Sequence, residues 1–161
     1  MKIVGFSTDA GLRLGMVERD QVIDLQGGDP ALPNDLAAVL SQYNGDLRPL
    51  ADIASRAPAS ARRPLAGLYY ALPVARPGKI ICLGLNYLEH LKEGRYADNM
   101  PKSPTLFARG LNSVVPHQHP LTRPCASETL DYEAELVAVI GKRAKHVTLD
   151  NALSYIAGYT C

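Results

Sequence analysis

The chain has 161 residues, 47% of them hydrophobic and 20% charged, with a formal net charge of +1. That balance suits a soluble globular protein of one domain, or a small domain with part of another. It excludes the strongly basic footprint of a nucleic-acid or anionic-membrane binder. Cys82, Cys125 and Cys161 are odd in number and widely spaced, so neither a zinc site nor a disulfide framework is expected, and a reducing cytoplasm is. No run approaches the roughly 20 apolar residues of a membrane span, and the opening residues show no leader pattern.

From the N-terminus, KIVGFS, GLRLGMVE and QVIDL are short β-rich runs separated by turn residues at 8–11 and 19–20, which predicts an antiparallel meander over residues 1–25. Gly27, Gly28, Pro30 and Pro33 interrupt it. Asn34 is placed to cap a helix with Leu36, Val39 and Leu40 on one face, ended by Tyr43-Asn44-Gly45. A weaker helical stretch covers 50–57, where Asp52, Arg56 and the alanines form an exposed face. A small N-terminal domain over 1–60 is then followed by a proline-rich linker over 61–78. Within it Arg62 and Arg63 read as solvated charges and LYYAL at 68–72 as a short strand.

KIICLGL at 79–85 forms the next strand. Asn86 and Gly94 bracket a helix of about two turns on which His90 and Glu93 share a face. A carboxylate beside an imidazole fixes its tautomer and raises its basicity, as a general base needs, although idle surface pairs have the same spacing. Residues 95–102 read as a loop and 103–107 as a strand, with Arg109 just beyond. The prolines of VVPHQHP at 114–120 mark a turn that exposes His117 and His119 rather than a metal site.

LDYEAELVAVIG at 130–141 is the stretch around which the chain is organised. Its apolar end, 136–140, has the composition of a buried strand. Asp131, Glu133 and Glu135 precede it two apart, so in a strand they leave one face together with Val137 and Val139. Two ionised carboxylates about 5 Å apart repel by roughly 3 kcal/mol at an effective dielectric of about 20. A solvated face, a bound proton or a divalent cation each resolves this, and the spacing alone leaves all three open. A basic turn at 141–144, a short helix over 151–156 begun near Thr148 or Asp150, and a strand from Gly158 complete the chain.

The second half resembles the fumarylacetoacetate hydrolase family. The resemblance is carried by KIICLGLNYLEHLKEG at 79–94, PTLFARG at 104–110, SETLDYEAELVAVIGK at 127–142 and ALSYIAGYT at 152–160, in the family's order. Residues 1–60 resemble the small variable domain that precedes these motifs in many bacterial members. The fold implied is α+β, mostly β: a small N-terminal β/α domain, then over 79–161 part of a mixed β-sandwich roll, often as a homodimer.

The resemblance also implies chemistry. The Glu-x-Glu motif falls on Glu133 and Glu135 as ligands of Mg2+, Mn2+ or Ca2+, with Asp131 outside the pair. The His-x-x-Glu dyad falls on His90 and Glu93, with His90 as the base. Arg109 matches the basic residue of a Phe-x-Lys/Arg motif that binds substrate. The substrate implied is a small 2-keto or dicarboxylic compound, cleaved at a carbon–carbon bond through a metal-bound enolate; isomerisation and decarboxylation are alternatives. The family's third metal ligand lies past the GYT strand, beyond Cys161. The expectation is therefore an enzyme of the family represented by an incomplete chain or completed by a second polypeptide, or else a catalytically silent module.

Overall fold

The computed structural model describes residues 1–93 and 102–161, with the side chains of His90 and Glu93 outside that description. Backbone contacts divide the chain into a larger unit, Met1–Ala75 with Val115–Cys161, and a smaller one, Arg76–Val114.

The larger unit opens with β1 (Ile3–Thr8), β2 (Gly11–Glu18) and β3 (Gln21–Asp24), the expected antiparallel meander. Alternation aims Leu14 and Ile23 at the core, while Val22 is buried on the opposite face near Gly15 and Phe6. The two-residue turn between β2 and β3 needs a left-handed residue, and Arg19 supplies it at φ 56°. Asp24 then ends β3 and caps α1 (Leu25–Gly28), its Oδ1 accepting from the Gln26 N–H at 3.1 Å. Gln26 is buried but satisfied, accepting from the Leu14 N–H and donating to the Pro33 carbonyl, both at 2.9 Å.

Two further helices cover one face of the sheet: α2 (Leu36–Gln42) and α3 (Arg48–Arg56). Their apolar stripes, Leu36, Val39 and Leu40 on one and Leu50, Ile53 and Ala54 on the other, complete a core with Leu14, Ile23, Leu25 and Leu32. The cap of α2 is Asp35 rather than the expected Asn34. The helix begins one residue later than expected, and Asp35 Oδ1 accepts from the N–H groups of Ala37 and Ala38. Its other oxygen accepts from the Ala75 N–H at 2.8 Å, so one carboxylate serves both the helix and a distant segment. Ala54 is fully buried, so the alanines of α3 are not all on the solvent side as expected.

The stretch read as linker contributes two strands. β4 (Arg62–Pro64) pairs with β3 and β5 (Tyr70–Ala71) with β1, giving the sheet order β4-β3-β2-β1-β5. Arg62 is not a free solvated charge: its Nη1 meets Glu18 Oε2 at 2.6 Å, because pairing with β3 carries it across to the end of β2.

The smaller unit is built on β6 (Ile80–Gly84) and β7 (Thr105–Arg109), antiparallel with Ile80 opposite Arg109, and on α4 (Leu88–Glu93) between them. The strand expected over 103–107 thus sits two residues later.

The chain returns to the larger unit and forms β8 (Val137–Ile140), α5 (Leu149–Ala152) with a 3-10 turn at Leu153–Tyr155, and β9 (Ile156–Thr160). Val139 and Ala157 pack against the N-terminal core. A bulge makes this fit: Val139 pairs with Gly158 and Ile140 with Ile156, leaving Ala157 as the extra residue. Gly141 is buried just after β8, where a Cβ would lie 2.8 Å from that of Ala157 and 3.3 Å from the Gly45 Cα. Gly45 itself sits at φ +83° in the turn that ends α2.

The strand expected across 130–141 is shorter and wetter than its composition suggested. The strand begins only at Val137, which pairs with Thr160, and residues 131–136 precede it outside any strand. Val139 and Ala157 meet the core, whereas Leu136 stays 70% exposed and Ile140 58%. Among the described residues no helix is long and apolar enough to cross a membrane.

Candidate functional site

Each unit holds part of the expected site. In the smaller unit α4 is oriented by Leu91, which is buried, and bears an exposed Lys92–Glu89 ion pair of 2.7 Å on its other side. The helix starts at Leu88, two residues after the expected cap Asn86, and Leu85 at φ 58° turns the chain into it. His90 and Glu93 lie on this helix three positions apart. Their side chains, the expected C-terminal Gly94 and residues 95–101 of the expected loop lie outside the described residues.

Arg109 ends β7 and is half-buried. Phe107 precedes it by two residues, so both leave the same face of the strand, and the guanidinium carbon stands 5.5 Å from the Phe107 ring centroid. A guanidinium is a planar fork that can pair with a carboxylate through two parallel N–H donors.

Glu133 and Glu135 lie in the larger unit, in the extended run that leads into β8; Glu133 is exposed and Glu135 half-buried. The run leads into Val139 and Gly141, which meet the N-terminal core. Asp131 is turned back on the backbone, its Oδ1 accepting from the Tyr132 N–H at 2.9 Å. Among the described residues no group of three or more His, Cys, Asp or Glu side chains is placed to hold a metal ion. The pair Glu133 and Glu135 offers carboxylate oxygens only, which is the donor chemistry of a hard divalent cation. Even if both bind through two oxygens they fill four of the six or more positions such an ion takes.

His117 and His119 are not simply displayed by their prolines. Each packs edge-on against a tyrosine, His117 against Tyr70 and His119 against Tyr69, with ring centroids 4.8 and 4.9 Å apart. The signal available in the sequence was the paired YY at 69–70 and the HQH at 117–119, but their distance along the chain hid the match.

Residues 79–161 match the family model for the C-terminal part of fumarylacetoacetate (FAA) hydrolase. The chain belongs to the fumarylacetoacetate hydrolase family. It is 35% identical over 141 residues to the human mitochondrial oxaloacetate tautomerase FAHD2A, covering 86% of this chain and 43% of that one. Among solved structures it is similar to the fumarylacetoacetate hydrolase of psychrophilic Exiguobacterium antarcticum, with a TM-score of 0.72 and 26% identity over 99% of this chain and 53% of that one. It is also similar to maleylpyruvate hydrolase from Sphingobium sp. SYK-6, solved with manganese(II) and pyruvate, at a TM-score of 0.67 and 27% identity over 97% of this chain and 56% of that one.

The chain spans about half the length of the curated relatives it matches. The α+β, mostly β fold expected from the sequence is the fold observed. The family motif at 127–142 spans both halves of the construction: acids in an open run, then a strand anchored on the core.

Proposed function

We propose that this chain supplies the metal-binding carboxylates and the proton-transfer dyad of a divalent-metal-dependent enzyme acting on a small 2-keto dicarboxylic acid. The reaction proposed first is keto–enol proton transfer, as in oxaloacetate tautomerisation. The observation that carries it is a His and a Glu one turn apart on α4, in a chain 35% identical to an oxaloacetate tautomerase.

In this reading Glu133 and Glu135 hold Mg2+, or Mn2+ or Ca2+ in its place. When bound, such an ion acts as a Lewis acid on the keto and carboxylate oxygens and makes the neighbouring carbon acidic. His90 takes the proton from that carbon and returns it to oxygen. Glu93 selects which imidazole nitrogen carries the hydrogen, so that the other is free to accept. Arg109, steadied over Phe107, pairs with the far carboxylate of the substrate.

Hydrolysis of a carbon–carbon bond in an acylpyruvate-type substrate is the second reading, favoured by the similarity to maleylpyruvate hydrolase. There His90 takes a proton from water as the hydroxide adds to the second carbonyl, the adjacent carbon–carbon bond breaks to leave a carboxylic acid, and His90 returns the proton to the departing enolate carbon. Decarboxylation draws on the same enol chemistry.

The test is a panel of 2-keto acids assayed with Mg2+ and with Mn2+, following the enol absorbance of oxaloacetate beside acylpyruvate cleavage. His90→Ala is expected to lower the favoured rate by about 100-fold or more. An unchanged rate in that variant would remove His90 from the role of base. Native mass spectrometry of the active species reports which chains complete it.

A further inference from the structure

We infer that His117 and His119 are positioning residues which clasp together the two ends of the Arg76–Val114 segment by packing edge-on against Tyr70 and Tyr69. The chain leaves the larger unit after Ala75 and re-enters it at Val115. The departing end is anchored through its backbone. Tyr70 and Ala71 pair with Phe6 and Gly5 of β1, and the Ser7 N–H donates to the Tyr69 carbonyl at 2.9 Å. Just before the exit, the Leu36 N–H donates to the Pro73 carbonyl and the Ala75 N–H to Asp35 Oδ2, each at 2.8 Å.

The returning end belongs to no strand. It forms a turn in which the His119 N–H donates to the Pro116 carbonyl at 3.1 Å and Gln118 adopts φ 62°. Pro116 and Pro120 stiffen this turn on both sides. The result is two imidazoles, two positions apart, against two consecutive phenol rings at interplanar angles of 86° and 64°. Both pairs fall in the edge-to-face range of aromatic packing. They join an end held by the sheet to an end with no sheet of its own.

The segment so closed carries His90, Glu93 and Arg109. A loose closure would let both ends of the strand pair that bears Arg109 drift. That relevance to catalysis rests on the function proposed above, whereas the clasp itself does not.

Hydrogen–deuterium exchange on the full chain, without metal or substrate, tests it independently of any activity. In the His117→Ala/His119→Ala variant, amides of residues 69–75 and 115–121 are expected to exchange about tenfold faster, with β1–β3 unchanged. His117→Phe/His119→Phe keeps an aromatic edge at each place and is expected to restore slow exchange. Wild-type exchange in the alanine variant would overturn the inference. So would phenylalanine variants that exchange as fast as alanine ones. If the double variant unfolds, His117→Ala and His119→Ala singly are read the same way: faster exchange at the clasp supports it, and wild-type exchange in both overturns it.

Discussion

Gly141 is the point at which the strand behind the acidic pair meets the N-terminal core, and an added methyl there gives a sharp test of that docking. In Gly141→Ala the new Cβ would sit 2.8 Å from the Ala157 Cβ and 3.3 Å from the Gly45 Cα. Neither neighbour can rotate away: one is a first side-chain atom on the bulge, the other is backbone in a turn at φ +83°. Overpacking of this kind costs about 1–3 kcal/mol, a factor of about 5 to 150 in the folded-to-unfolded ratio. Urea unfolding would show it as a lower midpoint at unchanged slope. Ala157→Gly removes the closer of the two contacts and costs about 0.5–1 kcal/mol by itself through backbone freedom. The double variant is expected to be less destabilised than the sum of the two by at least about 0.5 kcal/mol. Strict additivity, or a Gly141→Ala variant within about 0.5 kcal/mol of the parent, would refute the docking.

The remaining predictions concern the core, a turn and the surface charges. Leu50→Ala is expected to cost about 2–5 kcal/mol, since Leu50 is fully buried in the core. Leu149→Ala, at 93% exposure, should stay within about 0.5 kcal/mol of the parent; thermal unfolding compares the two. Arg19→Gly relieves a left-handed residue at φ 56° and should gain up to about 1 kcal/mol in urea unfolding. Hydrogen bonds from the Arg48 side chain and backbone hold the Asp46 carboxyl at about 2, from an ordinary 3.8. Its folded pKa is depressed, so its stabilisation is present above pH 4 and lost as pH falls towards about 2. Glu18 is lowered too, first by its hydrogen bond from Arg62. Asp46→Asn with Glu18→Gln should therefore flatten the acid limb of a stability–pH curve, and added salt should shrink the difference because both pairs are exposed.

Where periodicity and burial agree, the fold was legible. The alternation of GLRLGMVE and the spacing of Leu36, Val39 and Leu40 each match a face that the core covers. The short strand expected at 68–72 is β5, whereas β4 was hidden because prolines argue against strands, yet Pro64 lies on an edge where no N–H is required. The acidic stretch misled in the other direction. Its composition promised a buried strand, but burial depends on what covers a surface, and only Val139 of β8 meets the core. For the site, spacing brought out the pairs His90 with Glu93 and Glu133 with Glu135, while Arg109 and the roles of all five came from the family resemblance. The rest was not legible, since Phe107 under Arg109 and the Tyr–His pairs depend on partners that only folding brings together.

The central claim is that Glu133 and Glu135 grip a divalent cation while His90 and Glu93 move a proton. Water-proton relaxation or electron paramagnetic resonance with Mn2+ tests it without any assumption about substrate. With two carboxylates as the ligands from this chain, binding by the isolated chain is expected no tighter than about 0.1–1 mM. That binding should be lost in Glu133→Gln/Glu135→Gln and kept in His90→Ala. Mn2+ affinity unchanged by the double glutamine variant, or abolished by His90→Ala alone, would contradict it.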